Sequence, residues 1–87
     1  DEPADRDNIP ELIENYQALS LVYDAVENFN SIDKEIFIRY YFYGEKLEAI
    51  AKITDLTLSN CKTKLCRTRK KIKVYLTERG YDYEVKR

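Results

Sequence analysis

Apolar residues recur along this chain in steps of three and four, and the recurrences divide it into helices. Leu12, Tyr16, Leu19, Val22, Tyr23, Val26 and Phe29 form one stripe at helical spacing. The stripe predicts a single long first helix, with Pro10 at its opening position, where a missing N–H costs nothing. The stretch Asn28-Phe29-Asn30-Ser31 ends it. Ser31 suits the N-cap of a second helix, with Asp33 and Glu35 in its first turn at the positive end of the dipole. Ile36, Phe37, Tyr40 and Tyr41 supply its buried side, and Gly44 follows where a positive φ is wanted. Leu47, Ile50, Ala51 and Ile53 mark a short third helix over 47–54, and Ala51 is small enough to let another helix approach closely. Asp55-Leu56-Thr57 is then a turn with a buried apolar residue, and Thr57 is the expected N-cap of a long last helix. On that helix Leu58, Cys61, Leu65, Thr68, Ile72 and Leu76 share a face. The YYFY run at 40–43 has strand-like composition, but its neighbours keep helical spacing. The expected fold is all-α: a four-helix domain ending in a helix-turn-helix, with winged and β elements absent. Residues 1–9 read as an acidic linker or tail, 10–79 as the domain, and 80–87 as a C-terminal tail.

Charge changes the picture more than composition does. The 87 residues carry a formal net charge of −1, which by itself argues against a polyanionic partner. The average hides a polarised chain. Residues 1–30 hold eight acids and one base, Arg6, whereas residues 62–79 hold eight bases and one acid, Glu78. That asymmetry marks a local anion-binding surface on the last helix. Opposite its apolar face stand Lys62, Thr63, Cys66, Arg67 and Lys70. A helix that packs on one side and offers Arg, Lys and Thr on the other suits a nucleic-acid groove, where polar tips read base edges and cations neutralise phosphates. The competing explanation of such a run is a merely solvated face.

Other chemistries find little support. Histidine is absent, neither cysteine has a base partner, and there is no glycine-rich phosphate loop, so catalysis is not expected. Cys61 and Cys66 are about 140° apart on a helix and cannot bridge within it. With no CxxC, no metal or other cofactor is expected. Free thiols fit a reducing cytoplasm, and no apolar run reaches membrane length. The paired acids Asp33/Glu35 and Glu45/Glu48 read as solvated surface. The chain contains no Met, and is expected to be part of a longer protein.

The run from Leu19 to Leu76 resembles region 4 of bacterial sigma factors, especially the compact extracytoplasmic-function type. The likeness rests on FNSIDKEIF, on IRYYFYGEKLEAIAKI, and on DLTLSNCKTKLCRTRKKIK. These stand where that family has a helix, an aromatic-Gly turn, an E-x-I-A helix start, a turn and a basic final helix. The sequence departs from the pattern at Lys46, where a Ser or Thr cap is usual, and at Asp55, where a turn Gly is usual. Cys61 and Thr68 replace a Val and an Ala. The resemblance implies transcription initiation: recognition of the −35 element of double-stranded promoter DNA in the major groove, docking on the β flap of RNA polymerase core, and masking by an anti-sigma factor.

Arg67 is the first candidate for a base contact, because a guanidinium pairs bidentately with guanine O6 and N7. Lys62 reaches the same acceptors as a point charge, Thr63 offers a hydroxyl and a methyl, and Cys66 an apolar surface. Ser59 and Asn60, in the first turn, are phosphate candidates. So are Arg39, Lys46, Lys64 and Lys70, with an internal ion pair as the competing role for Arg39. Arg69 is a phosphate candidate as well, with a partner acid from the first helix as its competing role. Tyr16, Tyr23, Tyr40, Tyr41 and Tyr75 fall at apolar positions and are expected in the core. Phe42 and Tyr43, beside Gly44, border a possible partner groove. Two other readings stay open: a dimeric LuxR-type output domain, and a protein-interaction module whose basic helix pairs with an acidic partner.

Overall fold

The computed structural model describes residues 7–81, and among them are five α-helices and no strand. They are α1 (Ile9–Glu14), α2 (Tyr16–Glu27), α3 (Ser31–Tyr41), α4 (Leu47–Thr54) and α5 (Leu58–Glu78). The expected linker and tail at 1–6 and 82–87 lie outside the described residues.

The single long first helix is in fact two. Asn15 is extended (φ −93°, ψ 117°) and caps α2: its side-chain oxygen accepts from the amides of Gln17 (2.9 Å) and Ala18 (3.1 Å). Breaking there lets α1 fold back and bury Ile9 and Leu12. It also rotates α2 relative to the expected stripe. The buried residues of α2 are Ala18, Val22, Ala25 and Val26, whereas Tyr16 is 91% exposed and Tyr23 48% exposed. These two tyrosines are therefore not core residues, while Tyr40, Tyr41 and Tyr75 are half-buried, as expected of amphipathic rings. The cap of α3 is Asn30 rather than Ser31, its side chain accepting from the Asp33 amide at 2.8 Å.

The helix-turn-helix is α4, its turn and the start of α5. Asp55 adopts left-handed geometry (φ 61°, ψ 40°). Its amide reaches Lys52 O, and the Leu56 amide reaches Ala51 O at 2.9 Å, which closes the α4 end and tucks Leu56 inward. Thr57 then caps α5 through the Asn60 amide (3.0 Å). At the far end Gly80 (φ 84°) closes α5 the same way, with the Tyr81 amide on Leu76 O.

Along α5 the inward residues Cys61, Leu65, Thr68, Ile72 and Leu76 are all buried. Leu58, expected on that face, is 38% exposed at the first position of the helix. The first half of α5 completes one apolar cluster with Ile36, Ile50 and Ala51. The second half completes another with Ile9, Leu12, Val22, Val26 and Phe37. Thr68 lies between them and spends its hydroxyl on the Leu65 carbonyl (2.6 Å). Tyr41 touches both clusters. The rod of 21 residues, about 31 Å long, is thus the common wall of both cores.

Candidate nucleic-acid interface

With one face of α5 fixed inward, the opposite face is fixed outward. Lys62, Thr63, Arg67 and Lys70 are exposed and Cys66 is half-exposed; they run two turns down one side of the rod. Ser59 and Asn60 are exposed at its start, and Lys64 is half-exposed at one margin. The candidate base-facing residues therefore lie together on one side, and Ser59, Asn60, Lys64 and Lys70 lie around them. Lys46 stands apart as the N-cap residue of α4, exposed and making no side-chain cap bond.

The cations are sorted by face. Lys34 pairs with Glu27 (3.2 Å), Arg39 with Glu35 (3.0 Å) and Glu45 (3.1 Å), and Lys71 with Asp33 (3.5 Å). Arg69 reaches Asp7 at 3.6 Å. Among the described residues, no salt bridge involves Lys46, Lys62, Lys64, Arg67 or Lys70. Arg39 is thus occupied by two carboxylates, whose hydrogen bonds, Glu35 first, raise its pKa further. Most of the unpaired positive charge named here stands on the outward side of α5 and at the start of α4; Lys52, exposed in the last turn of α4, also makes no salt bridge among the described residues.

The inward margins of α5 are held by two ion pairs that motif reading does not resolve. Lys71 bonds Asp33 and lies 5.6 Å from the centre of the Phe29 ring. Asp33 is not solvated surface: it is 3% exposed, with Oδ1 buried and unpartnered at the positive end of α3. Arg69 Nε donates to Tyr41 Oη (2.7 Å), which donates to Asp7 Oδ2 (2.7 Å). The acid that takes Arg69 therefore lies just before the first helix rather than on it. Burial pushes the Tyr41 phenol up, partly opposed by Arg69. Burial pulls Arg69 down, but the Tyr41 hydrogen bond and the Asp7 charge outweigh this, and it stays cationic. Burial likewise pushes the Cys61 thiol up.

The family profile described as sigma-70, region 4 matches residues 19–72, more than half of the chain. The chain belongs to the sigma-70 region 4 family. Membership makes it a DNA-binding domain of a sigma factor, partnered with DNA and RNA polymerase, in a family of regulators rather than enzymes. No curated protein and no solved structure matches significantly. The matched span of this region 4 domain contains the complete helix-turn-helix and every candidate contact residue named above. Among its described residues no helix is long and apolar enough to cross a membrane.

A second surface is built on α3 and the residues that flank it. Tyr23 stacks on Phe42 with ring centres 5.7 Å apart and planes 10° apart. Beside them Phe29, Ser31, Lys34, Ile38 and Tyr43 line a shallow depression of about 420 Å³, and Tyr43 is 67% exposed. Glu35 and Arg39 complete the lining, so aromatic and apolar surface stands beside charge, a mixture that suits protein contact.

Proposed function

We propose that this domain reads the −35 promoter element through α5 while it docks on RNA polymerase core. The single observation that supports it most is the sorting of cations: Lys62, Lys64, Arg67 and Lys70 on the outward side and margin of α5, and Lys46 at the α4 cap, are unpaired, whereas Lys34, Arg39, Arg69 and Lys71 are neutralised at home. Lys62, Thr63, Cys66 and Arg67 face the base edges in this reading. Ser59, Asn60, Lys46, Lys64 and Lys70 meet phosphates on either side. Arg39 touches phosphate only by giving up Glu35 and Glu45. The folded unit that does this is the expected 10–79 domain, extended by Ile9 and Tyr81, which pack against its core.

The aromatic depression beside Tyr23 and Tyr43 is the proposed seat of the β flap, and an anti-sigma factor would act by covering one of the two surfaces. The setting is the bacterial cytoplasm, and the sigma factor is of the extracytoplasmic-function type. The test is transcription in vitro with core polymerase and the full-length parent on a candidate promoter. Arg67→Ala should cost about 1–3 kcal/mol at one base position and relax preference there. An equal loss on all promoters would make Arg67 a phosphate contact. A symmetric, dimer-sized footprint would point to a palindrome-binding regulator instead.

A further inference from the structure

Lys71 and Arg69 of α5 have partner acids that differ in kind. Asp33, the partner of Lys71, is 3% exposed on α3 and cannot leave without opening the core. Asp7, the partner of Arg69, is on the approach to α1, ahead of Ile9, the first buried residue. Apart from Arg69, two bonds tie it to the fold: the Ile9 amide donates to Oδ1 at 3.1 Å and the Tyr41 hydroxyl to Oδ2 at 2.7 Å. Its side chain is 33% exposed and that of Arg69 is 23% exposed.

The contact itself has the form of an oxyanion cradle. The Tyr41 hydroxyl accepts from Arg69 Nε and donates to Asp7 Oδ2, and Arg69 Nη2 comes to the same oxygen at 3.6 Å. Two donors on two helices converge on one carboxylate oxygen, an arrangement that serves a phosphate oxygen as well. The position on the rod also fits. Arg69 is about 20° around the helix from Lys62, two turns along it, and so lies at the edge of the outward face on the side away from Arg67. A rod lying in a groove meets bases at its centre and phosphates at its margins.

We infer that Asp7 stands in for a DNA phosphate in the free domain, and that Arg69 is a backbone contact released when Asp7 leaves. The inference rests on the DNA-binding reading of α5. Asp7 then acts as a strap: whatever draws the N-terminal approach away from α5 adds one cation to the interface.

The test is titration of the chain with a labelled duplex of arbitrary sequence, between about 50 and 200 mM salt. The variants are Asp7→Asn, Arg69→Gln and both together. Asparagine keeps the acceptor for the Ile9 amide, and far-UV dichroism checks that helix is retained; Asp7→Ser is the second variant if it is not. Asp7→Asn should bind about five- to tenfold tighter near 0.1 M salt, with the slope of log affinity against log salt steeper by about 0.9. The double variant should return to the wild-type slope. Unchanged or weaker binding by Asp7→Asn overturns the inference, and so does tightening that persists in the double variant, which would be loss of a negative charge and nothing more. If the wild-type chain shows no salt-dependent binding, the DNA-binding reading itself fails and the strap with it. If it binds steeply and Asp7→Asn matches it, the strap alone is wrong.

Discussion

Replacing Asn15 with Ala should destabilise the domain by about 1.5 kcal/mol. The side chain makes three hydrogen bonds: its oxygen takes the amides of Gln17 and Ala18, and its nitrogen donates to Tyr81 Oη at 3.2 Å. Loss of an N-cap costs about 1 kcal/mol, and an exposed side-chain bond adds about 0.5 kcal/mol. Alanine has the higher helix propensity, by roughly half a kcal/mol, but residue 15 is extended and gains nothing unless α1 and α2 fuse. Fusion would carry Ile9 (0% exposed) and Leu12 (3% exposed) out of the core, at about 1.5–3 kcal/mol each, so the break should persist. For a domain of this size the expected fall in Tm is about 6–12 °C. Thermal unfolding followed by far-UV dichroism measures it, with Tyr81→Phe as the control that keeps the cap but loses the Asn15–Tyr81 bond. Wild-type or greater stability in Asn15→Ala would refute the reasoning, and would mean that the α1–α2 break is set by packing alone.

Other outcomes follow from the same geometry. Asp55→Gly should raise stability by about 0.5 kcal/mol in the same unfolding assay, because glycine takes left-handed geometry without the Cβ clash. Asp55→Val should lower it. The Tyr41 hydroxyl and the Cys61 thiol are both held neutral, with folded pKa values above the ordinary ones. Their contribution is therefore complete below about pH 8.5 and is lost as pH rises past the free thiol and phenol values of about 8.5 and 10. Thermal midpoints measured across that range should fall, and Tyr41→Phe should flatten the upper part of the decline. Iodoacetamide should label half-exposed Cys66 well before buried Cys61, and a bound duplex should slow the labelling of Cys66; equal native rates would contradict the burial of Cys61.

The helix-turn-helix was the most legible part of the chain. Its bounds, the Thr57 cap, the left-handed Asp55 and the five buried residues from Cys61 to Leu76 are all local chemistry: a cap, a turn and one continuous period. The first helix was read less well for a physical reason. Leu12, Tyr16, Leu19 and Tyr23 keep helical spacing straight through Asn15, and nothing in periodicity distinguishes an asparagine that caps from one that is carried along. The real inward face of α2 includes Ala18 and Ala25, which a stripe built from large residues passes over. The outward residues of α5 follow from its inward ones, so their exposure was legible too. Which cations are already paired was not, since Asp7 and Arg69 lie 62 positions apart in the chain and only the tertiary fold joins them. Asp33 was missed for the same reason: an acid in a first turn is usually solvated, and here α5 covers it.

The stretch that carries the family likeness, 19–72, is shorter than the stretch that folds. Of the nine residues buried in the cluster shared by α1, α2, α3 and α5, four lie outside it: Ile9, Leu12, Ala18 and Leu76. Excision at the limits of the likeness would therefore leave a DNA-binding turn mounted on a half-emptied scaffold. A chimaera that transplants this specificity into another sigma factor must carry both flanks, from the approach to α1 through the closing glycine.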